Sequence, residues 1–257
     1  MSATKRILAI LLLVVTLASC KEKQTATPAP IPADTSRAQA TLHIYHGDSL
    51  VPLPFRETVT TALGDKITLK KVRYYLSNPV LIDSAGKRIP LGSWYHLVSV
   101  ANPASFDVAL PSIRPGRYRS LELMLGIDSA HNVSGAQAGD LAPDSGMFWT
   151  WASGYIHTLL EGDLARSATG SFAWHVGGFG KPTANQRTLP FPLNGGQLMS
   201  VSPKGHLHLR IQANILAAFT GTLSLKSNPY ITEPHQGAAV ADEWLRVFHT
   251  DSAWATP

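Results

Sequence analysis

The chain has 257 residues, 44% of them hydrophobic and only 15% charged, which excludes an intrinsically disordered polymer and permits a sizeable core. One cysteine excludes a disulfide framework and any cysteine-built zinc site. The formal charge of +5 raises nucleic acid or an anionic membrane as partners.

Read from the N-terminus, Lys5 and Arg6 precede an apolar run from Ile7 to Leu17. The run is too short for a transmembrane helix but fits a secretory signal. It ends in Leu17-Ala18-Ser19-Cys20, which resembles a bacterial lipobox: small residues admit the peptidase and the thiol takes the diacylglycerol. Residues 1–19 are therefore expected to be a lipoprotein signal peptide, with Cys20 lipidated and the protein held by its acyl chains in the cell envelope of a Gram-negative bacterium, on the periplasmic or outer-membrane face. Cleavage removes two of the 22 basic residues and none of the 17 acidic ones, leaving +3, so nucleic acid is not expected as a partner. Residues 20–39 add a tether rich in Pro, Ala and Thr, with Pro28, Pro30 and Pro32 and no aromatic side chain. The folded domain is expected over 40–257.

From residue 41 onward, short β-rich runs alternate with Gly, Pro, Asn and Asp. Strands are predicted at Thr41–His46, Ile67–Leu76, Tyr95–Val100, Tyr118–Leu125, Trp149–Leu160, Ser171–Val176 and His206–Ile215. In the last of these, Leu207, Leu209 and Ile211 alternate with His206, His208 and Arg210, which predicts an antiparallel strand with one solvated face. Val240, Trp244, Leu245 and Phe248 lie at helical spacing within Ala238–Phe248. The fold class is thus all-β: a β-sandwich of mainly antiparallel strands with a short C-terminal helix.

No nucleophile elbow, zinc-protease motif, phosphate loop or dinucleotide fingerprint is present, so an enzyme is not expected. Asp128, Asn132, Asp140 and Asp144 could offer oxygen to Ca²⁺, but without EF-hand spacing, and read as turn and capping residues. The ten histidines are numerous for so weakly charged a chain, and imidazole is a common transition-metal ligand. His43 and His46 are three apart and face opposite ways, His46 inward with Leu42 and Ile44. His206 and His208 share a face and could chelate together, although Arg210 beside them favours simple solvation. As one strand, the segment from Gly146 to His157 would align Trp149, Trp151, Tyr155 and His157 on one face, as core, as the lining of a cleft, or as an oxidisable indole.

Several of these stretches, taken together, resemble the MbnP-like family of copper proteins. They are Tyr74-Tyr75-Leu76-Ser77-Asn78, Gly126-Ile127-Asp128-Ser129, Asn132-Val133-Ser134-Gly135-Ala136-Gln137, Gly146-Met147-Phe148-Trp149-Thr150-Trp151 with Ser153-Gly154-Tyr155, Leu160-Glu161-Gly162 and Phe172-Ala173-Trp174-His175-Val176-Gly177-Gly178. The resemblance runs from about residue 41 to the C-terminal helix, where Asp242-Glu243 stands in place of the expected Asp-Asn pair. It implies a β-sandwich that binds one copper ion through histidines and a kynurenine made from Trp by a dihaem partner enzyme. By position, His175 is the first implied ligand and His46 the second, and Trp149 or Trp151 is the residue to be oxidised; His157, His206 and His208 are further metal candidates from the residues themselves. The function so implied is lipid-anchored copper handling in the envelope. Two alternatives stand beside it: a module that stacks a sugar or peptide on Trp149, Trp151 and Tyr155, and a structural lipoprotein whose aromatics are all core.

Overall fold

The computed structural model describes residues 36–135, 137–150 and 153–257. The expectations for the signal peptide, for lipidated Cys20 and for Trp151 lie outside the described residues.

Among the described residues the strands are β1 (Gln39–Asp48), β2 (Val51–Pro52), β3 (Thr58–Thr60), β4 (Lys66–Asp83), β5 (Arg88–Pro90), β6 (Tyr95–Ser99), β7 (Asp107–Ala109), β8 (Gly116–Leu125), β9 (Phe148–Thr150), β10 (Gly154–Leu164), β11 (Ser171–Gly177), β12 (Arg187–Pro192), β13 (Met199–Val201), β14 (His206–Ala213), β15 (Tyr230–Ile231) and β16 (Phe248–Thr256). Two short α-helices join them, α1 (Ser129–Val133) and α2 (Ala238–Glu243). The smaller sheet runs β16-β14-β1-β2, with β7 also on β1. The larger runs β12-β8-β4-β10-β11-β15, with β3, β5 and β6 on β4, β9 on β10 and β13 on β8. The all-β sandwich expected from the sequence is the fold observed.

Alternation builds the inter-sheet core. Leu42 and Ile44 of β1 and Leu207, Leu209 and Ile211 of β14 are buried against Tyr74, Leu76, Trp174 and Val176 of the larger sheet. On its outer face the larger sheet carries a second core of Tyr75, Ile127, Leu141, Met147, Tyr155, Ile156 and Leu159. Neighbouring Tyr74 and Tyr75 thus serve different cores, and β4 is buried on both faces from Tyr74 to Ser77.

Three expectations change. β14 keeps its solvated face but pairs in parallel with β1, and antiparallel only with β16. The single strand expected over Trp149–Leu160 is instead a hairpin of β9 and β10. It turns at Gly154, whose φ is +73° and where a Cβ would lie 2.2 Å from Asn132 Oδ1. Trp149 and Tyr155 therefore stand on different strands. The C-terminal helix stops at Glu243, a 3₁₀ turn follows, and Phe248 opens β16. β12 carries Pro190 and Pro192, which an edge strand tolerates because no ladder donor is needed there, while Leu189 and Phe191 point inward.

Candidate functional site

Strand β11 sends Phe172, Trp174 and Val176 into the inter-sheet core. Its alternate residues Ala173, His175 and Gly177 consequently lie on the outer face of the larger sheet. There His175 Nε2 is 2.9 Å from Glu161 Oε1, and Glu161 Oε2 is 2.8 Å from Lys71 Nζ. The carboxylate can only accept, so Nε2 carries the proton and the neutral ring keeps its lone pair on Nδ1. Burial, the largest influence, lowers the His175 pKa against the opposing pull of Glu161, which favours this neutral form. A carboxylate that orients one imidazole nitrogen while freeing the other is the arrangement found behind metal-bound histidines.

Trp149 lies against Gly177, where a Cβ would sit 2.5 Å from Trp149 Cζ3 and 2.7 Å from the Tyr155 carbonyl. Gly177 is two residues from His175 on the same strand face, so the indole and the imidazole lie on one face of the larger sheet.

His46 faces inward, as expected. Its Nε2 is 2.9 Å from the Tyr74 hydroxyl, its ring packs on Phe106 at 4.4 Å between centroids, and its Nδ1 has no partner. Burial lowers its pKa to about 4. Tyr74 belongs to the inter-sheet core and His175 to the outer face, so the thickness of the larger sheet separates the two implied ligands. His46 and His175 do not fit one ion, because His175 is out of phase with Trp174 and Val176.

His157 is also placed elsewhere. It is buried, its Nδ1 accepts from the Ile127 amide at 3.2 Å, and its Nε2 donates to the Gly178 carbonyl at 2.9 Å. Both nitrogens are engaged and no lone pair is left for a metal. His206 and His208 share the outer face of the smaller sheet, but their rings stack at 4.0 Å and 14°. In-plane lone pairs of stacked rings do not converge on one ion. Among the described residues no three His, Cys, Asp or Glu side chains form a group that could hold a metal ion.

The acidic loop performs the expected capping. Asp128 caps α1 by accepting from the His131 amide, and also accepts from Asn78 Nδ2 at 2.9 Å and from the Tyr95 hydroxyl. Asn132 Nδ2 donates to the carbonyls of Ile127 and Asp128, each at 2.9 Å, while its Oδ1 accepts from the Tyr155 amide at 2.8 Å. Asp140 accepts from the Leu97 amide and pairs with His96 at 3.0 Å. Motif residues scattered from Asn78 to Gly178 are thus joined around the second core.

The MbnP family model matches residues 38–234. The chain belongs to the MbnP family. Within this MbnP-family fold the match closes before α2, so the C-terminal helix and β16 lie beyond it. A solved structure, MbnP from Methylosinus trichosporium, is similar with a TM-score of 0.49 and 15% identity, over 74% of this chain and 80% of that one. No curated protein matches in sequence. In MbnP terms, the reading of isolated motifs missed that Leu160-Glu161-Gly162 and the His175 motif make one unit: Glu161 orients His175. Both are three or fewer residues from a motif glycine, but only the register of β10 and β11, with Leu159 opposite His175 and Glu161 opposite Ala173, makes them diagonal neighbours.

Proposed function

We propose that this MbnP-family chain is a lipid-anchored copper-binding protein of the cell envelope, acting in metal handling and not in catalysis. The observation that supports this best is His175, its Nε2 occupied by Glu161 and its Nδ1 free of that bond, on the same sheet face as Trp149 within the family-matched region. Copper, when bound, supplies a centre that accepts imidazole nitrogen in either oxidation state. His175 would hold it, with Glu161 and Lys71 fixing the ring. His46 belongs to the core and is not part of this site. Trp149 is the described candidate for oxidation to kynurenine, the oxidising equivalents coming from a dihaem partner enzyme. Opening the indole would expose an aniline nitrogen on the sheet face that carries His175. Cys20 would anchor the chain through its acyl groups.

The sugar-stacking alternative loses one of its rings: Tyr155 is fully buried, and its hydroxyl is given to the Leu141 carbonyl. The copper reading is tested on protein purified from its native host, by metal content, intact mass and peptide mapping of residues 147–160. Copper together with an oxidised tryptophan is expected, and H175Q is expected to lose most of the metal. Native protein free of copper, with unmodified tryptophans, would leave the structural-lipoprotein reading in its place.

A further inference from the structure

Basic side chains gather at the end of the sandwich where the chain enters β1. Arg37 is fastened there, its Nε donating to the Ser112 hydroxyl at 2.8 Å and a terminal nitrogen to the Ser112 carbonyl. Ala38 bridges Ile113, which holds Arg114 beside the same entry. Gln39 donates to the Gly205 carbonyl, so the turn that carries Lys204 lies at this end too. Val201 of β13 pairs with Gly116 at the start of β8, where Arg117 and Arg119 follow. Tyr118 between them stands opposite Asp83, the last residue of β4. Beyond Asp83 the chain turns through Ser84, whose carbonyl accepts from Arg119 at 3.1 and 3.3 Å, and reaches Lys87. Lys87, Arg114, Arg117, Arg119 and Lys204 are exposed and Arg37 is half-buried.

The charge here is of one sign. Among the described residues none of these cations is ion-paired with a carboxylate, whereas elsewhere Lys71 is answered by Glu161, Arg187 by Asp242 and Arg210 by Asp251. Two carboxylates stand on the same elements, and both are engaged. Asp83 accepts from the Ala85 and Lys87 amides at 2.8 and 2.9 Å, and Glu122 pairs with Arg88. We propose that this end of the domain docks on a membrane surface of anionic phospholipid headgroups, its arginines and lysines meeting the lipid phosphates. Guanidinium forks match phosphate oxygens, and the attraction acts within a Debye length of about 8 Å at physiological ionic strength. The choice of occupant rests on the lipid-anchored reading. Seventeen residues lead from Cys20 to Arg37, a reach of at most about 60 Å. An acyl anchor at Cys20 therefore keeps the Arg37 end, and not the opposite end where β4 starts at Lys66, closest to the bilayer. Tethering makes the encounter intramolecular, so weak individual contacts suffice.

The test uses protein purified from host membranes, its acyl groups read by intact mass. It is reconstituted on phosphatidylcholine vesicles with and without phosphatidylglycerol, and its lysines are acetylated and mapped. Phosphatidylglycerol should slow acetylation of Lys87 and Lys204 about fivefold or more, while Lys66 and Lys226 at the opposite end react unchanged. Salt at about 1 M, where the Debye length is about 3 Å, should erase the difference. R114Q/R117Q/R119Q should erase it too, since about fivefold per basic residue makes roughly 100-fold for three. Those side chains are exposed, so the variant should keep the parent melting temperature; the vesicle and salt comparisons need no variant. Equal acetylation on both vesicles in acylated protein overturns the docking face and leaves the anchor standing. Protein without acyl groups refutes the anchor; phosphatidylglycerol-dependent protection of Lys87 and Lys204 in that protein would still sustain the face, and its absence would overturn it. The same protection by inorganic phosphate without vesicles would make this end a site for free anions and overturn the lipid assignment.

Discussion

At the scale of single residues, two imidazoles are kept from bulk water, His46 on β1 of the smaller sheet and His157 on β10 of the larger. Burial takes His46 and His157 each to a pKa of about 4 from an ordinary 6.5. The unfolded chain therefore binds protons between pH 6.5 and 4 that the native chain refuses, and stability must fall as pH drops through that window. Each histidine contributes roughly 3 kcal/mol at full swing, taking about 1.4 kcal/mol per unit. His96 acts in the opposite sense. Burial pulls its pKa down, but its bonds to Asp140 and the Ser105 carbonyl outweigh this and raise it. Urea unfolding at steps from pH 7.5 to 4.5 should show a steady loss, and H157Q should flatten part of it; stability independent of pH across this range would contradict the neutral burial of both rings. That His46 would be inside was legible from its shared phase with Leu42 and Ile44. That His157 would be spent on Ile127 and Gly178 was not, because both partners arrive from remote loops.

Among the elements, α1 is the least able to stand alone. Five residues are far below the length at which a helix is stable in water, so its place depends on its contacts. Asn132 supplies three of them, fastening the Ile127 and Asp128 carbonyls and the Tyr155 amide at the start of β10. Asn132→Ala leaves that buried amide without an acceptor, at a cost of about 2–4 kcal/mol once the lost donors are included. For a domain of this size the melting temperature should fall by roughly 4–16 °C, at about 2–4 °C per kcal/mol. Calorimetry reads this directly, and a shift below 2 °C would show that Asn132 is dispensable. The capping role of the acidic loop was readable from residue type and spacing alone. The break between β9 and β10 was not, since an aromatic run carries the same period on one strand as on two. Gly154 was the available signal: its left-handed backbone and its contact with Asn132 leave no room for a side chain.

For the whole molecule, the C-terminal strand closes the smaller sheet. β16 pairs with β14 from Phe248 to Thr256 and covers the edge that β14 would otherwise present. Deleting residues 248–257 should leave His206–Ala213 with unpaired backbone groups and a buried apolar face behind them, a template for pairing with another chain. Size-exclusion chromatography with light scattering should then show concentration-dependent association; a monomer with the parent melting temperature would refute this. The strand was missed because Trp244, Leu245 and Phe248 suit a helical period, and only the tertiary fold ends the helix at Glu243.

By itself the sequence determined what is local. It settled the β class, the inward and outward faces of β1 and β14, the capping acids, and the family motifs. Each follows from a period, a turn residue or a short spacing, and none requires knowing a distant partner. Only the tertiary structure decided which histidines meet. It placed His46 and His175 on opposite sides of one sheet, joined His175 to Glu161, and through a parallel register set His43 beside His208 across 165 residues of chain. Strand pairing is long-range and is selected by the burial of both sheet faces together, so no single segment carries it.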